Sequence, residues 1–439
     1  MSGLAEILLD EGFSISGSDA HRTELTERLE EKGARISYGQ RASNITEDID
    51  VVVYTAAIHP DNPEFMAAQS KGLPMLTRAQ LLGEMMQNYQ HAVNISGTHG
   101  KTTTTSMLAE ILLAAERNPT ISVGGILPAI GGNIRVGGQE LFVTEACEYT
   151  NSFLSFYPTM EIILNIEADH LDFFKDLEDI RHSFRKFAQK LDEKGILIIN
   201  REIKALEEIT QGLPCRVITF GPDPKASDYS VRDISYDACA RASYTLLIHG
   251  KEAGQVKLGV PGEHNIYNSL SAIAASVELG VPLEAIFKGL KEFTGTNRRF
   301  EKKGEVGGVT VIDDYAHHPQ EIAATLKTAK NYPHKKLWCV FQPHTYTRTA
   351  ALLDDFAQAL LEADEVILAD IYAAREVNTL GISSRDIQEK ITKAGGKAHY
   401  IPSFDEIETF ILANCVPGDL LITMGAGDIV KVGERLLGL

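Results

Sequence analysis

The apolar positions of this chain fall into short runs, which alternate with stretches where hydrophobic residues recur at helical spacing. The clearest case is "VNISGTHGKTTTTSMLAEILLAA", residues 93 to 115. The run over 92 to 96 predicts a buried strand and a glycine turn breaks it; Met107, Leu108, Ile111 and Leu112 then form one stripe of a helix. The same alternation divides the chain into three regions. Residues 1–90 carry an opening helix over 2 to 11, a short strand ending in "SISGSD", a strand in "DIDVVVYTAA" and a helix after "HPDNPE". Residues 91–296 carry the glycine turn, strands in "ELFVTEACE", "EIILNIEADH" and "KGILIIN", an irregular β-rich stretch near 215 to 260, and a helix in "NIYNSLSAIAASVELG". Residues 297–439 hold strands in "VTVIDDY", "KLWCVFQ", "DEVILAD", "KAHYI" and "DLLITMG". Strands and helices alternating at this spacing predict an α/β fold with parallel sheets, where ligands gather at the carboxyl ends of the strands.

That rule directs attention to the turn at 97 to 103. Gly97 and Gly100 enclose only Thr98 and His99, a shorter loop than the usual phosphate-binding pattern. The physics is the same: small residues let backbone N–H groups approach an anion, and the following helix presents its positive N-terminus. Lys101 supplies a point charge for terminal phosphates, and the Thr102 hydroxyl suits the magnesium ion that accompanies them. An ordinary strand–turn–helix with a chance Gly-Lys-Thr is the plain alternative; strand, glycines, lysine, hydroxyl and helix in the required order argue against it. Glu145 and Glu148 follow one strand, and Asp169 and His170 follow another. If both strands flank the one that ends in the turn, these groups converge on the phosphates. Taken singly, each acid also reads as a helix cap or a solvated loop charge. Cys147, between the two acids, is either a thiol that makes the site sensitive to alkylation or a buried small residue at a strand end.

Composition narrows the classes. A chain of 439 residues is too long for one core, so two or three domains are expected. The net charge of −18 argues against a nucleic-acid-binding surface. No stretch is apolar enough to span a bilayer, so no membrane insertion is expected. The 5 cysteines are odd in number and widely spaced, which reads as reduced thiols of a cytoplasmic protein.

"GTHGKTTTT", "EACEY", "NIEADHLD", "GEHNIYNSLSA", "TNRRFE", "DDYAHHPQEI" and "FQPHTYTRT", in this order, resemble the successive motifs of the Mur ligases, over nearly the whole chain. The short loop with its threonine run is that family's form. Within the family the motifs are most similar to those of the members that attach L-alanine. The resemblance implies three domains: a Rossmann-like UDP-sugar-binding domain over 1–90, a central P-loop ATPase-type parallel-sheet domain over 91–296, and a Rossmann-like amino-acid-binding domain over 297–439. It implies ligation of L-alanine to UDP-N-acetylmuramate through an acyl phosphate, with ATP and Mg²⁺, or Mn²⁺, in peptidoglycan synthesis.

Site residues follow from the same resemblance. Gly97, Thr98, His99, Gly100, Lys101, Thr102 and Thr103 would hold ATP, with Lys101 on the β- and γ-phosphates; Thr102, Glu148 and His170 would organise the metal. His264, Asn265 and Asn268 resemble adenine-side residues. Their amides suit the adenine edge, and helix capping by the asparagines, above all by Asn265, stays open beside it. Arg299 matches an arginine near the phosphates, with Arg298 beside it as a substitute, and Asp314 resembles an acid that meets the nucleotide. The catalytic set would be Lys101, Glu148, His170 and Arg299. Ser18 and Asp19 would meet the uridine, while Tyr315, His317, His318, His344, Tyr346 and Arg348 cluster at two strand ends as substrate contacts. Tyr372, Arg375 and Glu376 would face the alanine and muramyl end, and Gly425 to Asp428 repeat the glycine turn and close the sheet.

One departure stands out. Members of the family begin with a strand and a glycine-rich turn directly before a segment like "MSGLAEIL", whereas this chain starts at Met1, inside that motif. The expectation is a truncated N-terminal sheet that leaves unpaired backbone groups and an exposed apolar helix face. Two other activities remain open: a recycling ligase joining a murein tripeptide to the same UDP sugar, and a nucleotide-binding protein without ligase activity. The expected partners are small molecules alone, with the chain a monomer or weak dimer.

Overall fold

The computed structural model describes residues 1–55, 58–170, 173–374 and 376–439. The chain divides into two compact units. The first comprises Met1–Gly124, Ala129–Thr219 and Ala274–Val281; the second comprises Gly125–Pro128, Phe220–Ile273 and Pro282–Leu439.

The first unit is built on a sheet with strands in the order Arg216–Phe220, Ile196–Asn200, Met160–Ile163, His91–Ser96, Leu141–Glu145, Thr120–Leu127 and Gly132–Arg135. The strand that leads into the glycine turn is central. It pairs in parallel with Leu141–Glu145 on one side and Met160–Ile163 on the other. After its first residue it is buried throughout, as expected of a parallel strand covered on both faces. Helix Leu177–Ala188, started by an Asp176 side chain that accepts from the Asp179 N–H, lays Phe184 and Phe187 into the core beneath this sheet with Phe142, Phe153 and Leu197.

The N-terminal stretch differs from expectation in two ways. Its strands form two separate parallel pairs, Ser16–Asp19 with Arg35–Tyr38 and Val52–Tyr54 with Met75–Thr77. The last of these strands runs directly into a helix, Arg78–Met86, that periodicity does not reveal; Thr77 and Gln80 form its capping box. The opening helix Ser2–Asp10 buries its apolar face rather than exposing it. Leu4 and Ile7 lie in one core with Leu82, Met85 and Met86, and Gly3 packs so closely on Ile134 that a Cβ there would lie 2.1 Å from that side chain.

In the second unit the β-rich stretch is a meander, Tyr229–Tyr236, Arg241–Ile248 and Lys251–Pro261, paired antiparallel throughout. Its larger sheet has the order Glu301–Val306, Val309–Asp314, Leu420–Met424, Leu337–Phe341, Glu365–Leu368 and Ala398–Tyr400. Every pairing is parallel except that of the first strand. Period-two alternation splits the apolar runs between two cores. Ile312, Cys339, Phe341 and Ile422 face one helix layer, and Val311, Val340, Ile367 and Leu421 face the other.

One buried acid breaks the apolar pattern of the first sheet. Glu161 sits opposite Asn94 in the register, fully buried, and neither of its carboxyl oxygens has a hydrogen-bond partner. Burial pushes its pKa well above the ordinary 4.5, against a weaker pull from Lys190. The folded state therefore keeps a proton that the unfolded chain releases. Stability is complete below the unfolded pKa and declines as pH rises from there toward the folded pKa. Denaturation at a series of pH values above 4.5 should show the wild type falling relative to Glu161→Gln by up to about 1.4 kcal/mol per pH unit. Parallel stability curves would mean that Glu161 titrates normally.

Candidate active site

The glycine turn is held open by its own backbone and by one asparagine. Gly97 and Gly100 adopt φ of 139° and 85°, the second ending in the left-handed conformation that starts helix Lys101–Ala114. A Cβ at Gly97 would lie 2.9 Å from the Leu164 Cβ, so the turn and the neighbouring strand end approach too closely for any other residue. Asn165 grips the loop between the glycines. Its carbonyl accepts from the Thr98 N–H at 3.2 Å, its Oδ1 from the His99 N–H at 2.8 Å, and its Nδ2 donates to the His99 carbonyl at 3.0 Å. The Thr98 hydroxyl accepts from the Glu167 N–H at 2.9 Å, and the His99 ring lies 3.2 Å from the Glu167 carboxylate. Asn165 and Glu167 were not among the expected site residues. Both lie inside "NIEADHLD", but only strand pairing reveals which backbone they meet.

Lys101 lies over the turn. Its Nζ donates to the Gly97 and Thr98 carbonyls and to both Glu148 oxygens, at 3.0 and 3.2 Å. Burial opposes its charge, yet the carboxylate of Glu148, aided by Cys147 and Glu145, raises the ammonium above its ordinary value. Glu148 is itself buried, with His170 Nε2 3.9 Å away on the other side. His170, at φ 52°, stacks on Tyr149 with centroids 4.5 Å apart and lies 3.7 Å from Asp169. Thr102 is buried in the first turn of the helix and Thr103 half-buried. Lys101, Glu148 and His170 thus form one cluster at the ends of the three central strands, while Glu145 takes the Gly124 N–H. Cys147 is exposed when the residue is taken as a whole, although its sulfur is enclosed by protein. The protein crowding its sulfur and the charge of Glu148 raise its pKa. Arg78, a further unforeseen neighbour, is lowered by desolvation against the pull of Glu145 and Cys147. Ser18 and Asp19 lie apart, at the end of their own strand; the Ser18 hydroxyl donates to Glu64 at 2.6 Å and Asp19 accepts from the His21 N–H at 3.3 Å.

The second unit gathers its own group. Arg299 lies 3.9 Å from Glu321 and 5.3 Å from the Tyr315 ring centre. Arg298 is not its substitute: it is consumed by Asp313 at 2.9 Å and by the Gly425 and Gly427 carbonyls at 2.7 and 3.1 Å, so it fastens the final glycine turn. Asp314 accepts from the Phe300 and Ala316 N–H groups at 2.8 and 2.7 Å, and burial raises its carboxyl to about 6 against the pull of Arg299. His317 is 3.1 Å from the Tyr315 carbonyl; burial lowers it to about 4, with Glu321 opposing and Arg348 assisting. His318 is a helix cap, its Nδ1 accepting from the Gln320 N–H. His264 is also lowered to about 4 by burial and then by the Arg299 charge. Asn265 lies within the first turn of its helix rather than at the cap; its Nδ2 donates to the Pro261 carbonyl at 2.7 Å and its Oδ1 accepts from Asn268 at 2.9 Å. His344 stacks on Tyr372, centroids 5.6 Å apart, and the Arg348 guanidinium lies 3.4 Å from its Nδ1. Arg375 lies outside the described residues.

Among the described residues, no group of three His, Cys, Asp or Glu side chains is placed to hold a metal. Glu148, Thr102 and His170 offer a donor set that suits Mg²⁺ if phosphate oxygens and water complete its shell.

A glycine turn opening a helix, a half-buried lysine above it and acids on both flanking strands define a phosphate-loop α/β protein. The chain belongs to the Mur ligase family. The model described as Mur ligase middle domain matches residues 95–276, that described as Mur ligase, glutamate ligase domain matches 298–427, and that described as Mur ligase family, catalytic domain matches 1–90. Because the last match starts at residue 1, the expected loss of an N-terminal strand and turn is not borne out. The chain is 64% identical over 437 residues to the UDP-N-acetylmuramate–L-alanine ligase of Lachnospira eligens, covering 100% of this chain and 95% of the relative. It is 50% identical to the enzyme of that name from Caldanaerobacter subterraneus, with the same coverage. Among solved structures, the UDP-N-acetylmuramate–alanine ligase of Thermotoga maritima superposes with a TM-score of 0.83 at 30% identity, covering 100% of this chain and 96% of that one. A murein peptide ligase from Psychrobacter arcticus gives 0.72 at 26%, with the same coverage.

Two outcomes follow from the first unit. Asn165→Ala removes the two side-chain contacts to the loop, leaving the backbone bond from the Thr98 N–H, and should lower stability by roughly 1–3 kcal/mol in chemical denaturation; an unchanged midpoint would show that the turn holds its own shape. Cys147, raised above its ordinary 9.0, should alkylate at pH 7 more slowly than a cysteine in a short peptide, with the rate still climbing past pH 9. Peptide mass spectrometry reads this directly, and rapid labelling at pH 7 would contradict it.

Proposed function

We propose that this protein joins L-alanine to UDP-N-acetylmuramate with hydrolysis of ATP to ADP and phosphate, in peptidoglycan synthesis. The observation that carries this reading is likeness along the full chain to ligases bearing that name, together with the phosphate loop and its half-buried lysine. A carboxylate is a poor electrophile. The muramyl carboxylate first takes the γ-phosphoryl group, releasing ADP; the alanine amine then attacks the acyl carbon, a proton leaves the nitrogen, and phosphate departs as the amide forms. Two anions must approach in the first step, so cations decide its rate.

Lys101 supplies one such charge to the β- and γ-phosphates once it leaves the Gly97 and Thr98 carbonyls. The backbone N–H groups of Gly97 to Thr103 cradle the phosphates. Thr102, Glu148 and His170 would hold Mg²⁺, which would supply further charge neutralisation when bound. His264, Asn265 and Asn268 take the adenine side, and Asp314 the nucleotide. Arg299 offsets charge near the transferring group. Ser18 and Asp19 take the uridine, and His317, Tyr315, His344, Arg348, Tyr372 and Arg375 take the amino-acid and muramyl end. The three-domain division at about residues 90 and 296, a cytoplasmic location and a monomeric or weakly dimeric state belong to the same reading. No helix among the described residues is long and apolar enough to cross a membrane.

The test is release of ADP and phosphate with ATP, Mg²⁺ and UDP-N-acetylmuramate, with and without L-alanine. Turnover should require both the sugar and the amino acid, and Lys101→Ala should lower kcat by roughly 100-fold or more. Turnover with a murein tripeptide in place of L-alanine would transfer the reading to the recycling ligase, in line with the likeness to the Psychrobacter enzyme. ATP binding without amide formation would leave a nucleotide-binding protein.

A further inference from the structure

Glu376 lies just beyond the strand end that carries Tyr372, where a substrate-facing carboxylate was expected. Its oxygens are instead turned onto another segment of the second unit. The Thr347 N–H donates to Oε2 at 2.9 Å and the Thr347 hydroxyl to Oε1 at 2.5 Å. Helix Tyr346–Ala351 has no side-chain cap of its own, and Thr345, before it, stands at φ 65°, a conformation that a β-branched residue seldom adopts. A carboxylate brought in from 29 positions along the chain thus takes the role that an N-cap residue would normally fill.

Glu376 also closes a ring. The segments carrying His344 and Tyr372 are already joined by a parallel bridge between those two residues, by Thr345 N–H to the Tyr372 carbonyl at 2.9 Å, and by Tyr372 N–H to the Pro343 carbonyl at 2.8 Å. The Tyr372 ring lies over Gly427, where a Cβ would come within 3.0 Å of it, and His344 stacks on the same ring. That platform is fixed at its base by the glycine turn that Arg298 fastens. Its far end, the turn that projects Arg348 toward His344, is fixed through Glu376.

We infer that Glu376 is a positioning residue for the amino-acid substrate: by tying residues 345–347 to the segment after Tyr372 it sets where Arg348 and His344 stand. This rests on the proposed ligase reading, in which those two side chains meet the amino-acid end. The carboxylate acts through the turn, and each of its oxygens takes one Thr347 donor, Oε2 the N–H and Oε1 the hydroxyl. An amide in its place keeps one acceptor and turns an NH₂ group against an N–H or hydroxyl donor.

The experiment is steady-state kinetics of the full chain with ATP, UDP-N-acetylmuramate and L-alanine, for wild type, Glu376→Gln, Glu376→Asp and Thr347→Val. In Glu376→Gln the KM for L-alanine should rise by roughly ten- to a hundredfold while the KM for ATP stays unchanged within about twofold. Glu376→Asp, which keeps the acceptors, should recover part of the loss, and Thr347→Val should show a smaller effect in the same direction. A general structural role would instead lower the melting temperature and move every KM together, and this would overturn the inference. An active wild type with an unaltered KM for L-alanine in both Glu376→Gln and Thr347→Val would also overturn it. A wild type that turns over no L-alanine would overturn the ligase reading itself. Thr347→Val retains every charge, so it carries the test if Glu376→Gln does not fold.

Discussion

The parallel pairing of one strand, His91–Ser96, between two others is the constraint on which the first unit depends. A parallel sheet aligns the carboxyl ends of its strands, and each end here delivers a different chemical group to the same place. The central strand delivers the turn and Lys101, Leu141–Glu145 delivers Glu148, and Met160–Ile163 delivers Asn165 and His170. Slipping either register by one residue would exchange the side chains packed on the two buried faces and carry these groups out of reach. The apolar cores on both faces therefore fix the chemistry as firmly as the polar contacts do.

Charge is handled by mutual dependence. Lys101 and Glu148 are both taken largely out of water, and each is tolerable because the other is 3.0 Å away. Removing either would leave its partner as an uncompensated buried charge. In the proposed ligase reading, a phosphate would replace Glu148 as the lysine's partner and Glu148 would then be free to help hold a cation. In the second unit burial works differently. His264 and His317 are held neutral and Asp314 is raised to about 6, so that group of residues carries less charge than its composition suggests.

The resemblance and the loop chemistry made the central features legible. Gly97 to Thr103 have local meaning, because glycine, lysine and hydroxyl follow one another in the order a phosphate loop requires. The strand runs at 141–145, 160–163, 309–314, 337–341 and 420–424 are predominantly apolar, and they were legible for that reason. Arg78 and its helix were not, because that helix has only a weak apolar stripe. Asn165, Glu167 and Glu321 were inside quoted motifs but went unassigned, since their partners lie in other segments. Arg298 and Arg299 are adjacent and chemically identical, both lie over the Tyr315 ring, and nothing in their order shows that one fastens a turn while the other lies beside Glu321. Glu376 was placed at the right strand end but given a substrate contact instead of a backbone one.

The sequence by itself determined the α/β class, the identity of the phosphate loop and the family, because each rests on residue types in fixed local order. Only the tertiary structure decided which strands are neighbours, that the opening helix buries its apolar face, which acid meets Lys101, and which carboxylate serves a helix end. Those choices depend on contacts between residues far apart in the chain, such as Lys101 with Glu148, His99 with Asn165 and Thr347 with Glu376. Local spacing carries no record of them, since the packing of whole sheets and helices brings such pairs together.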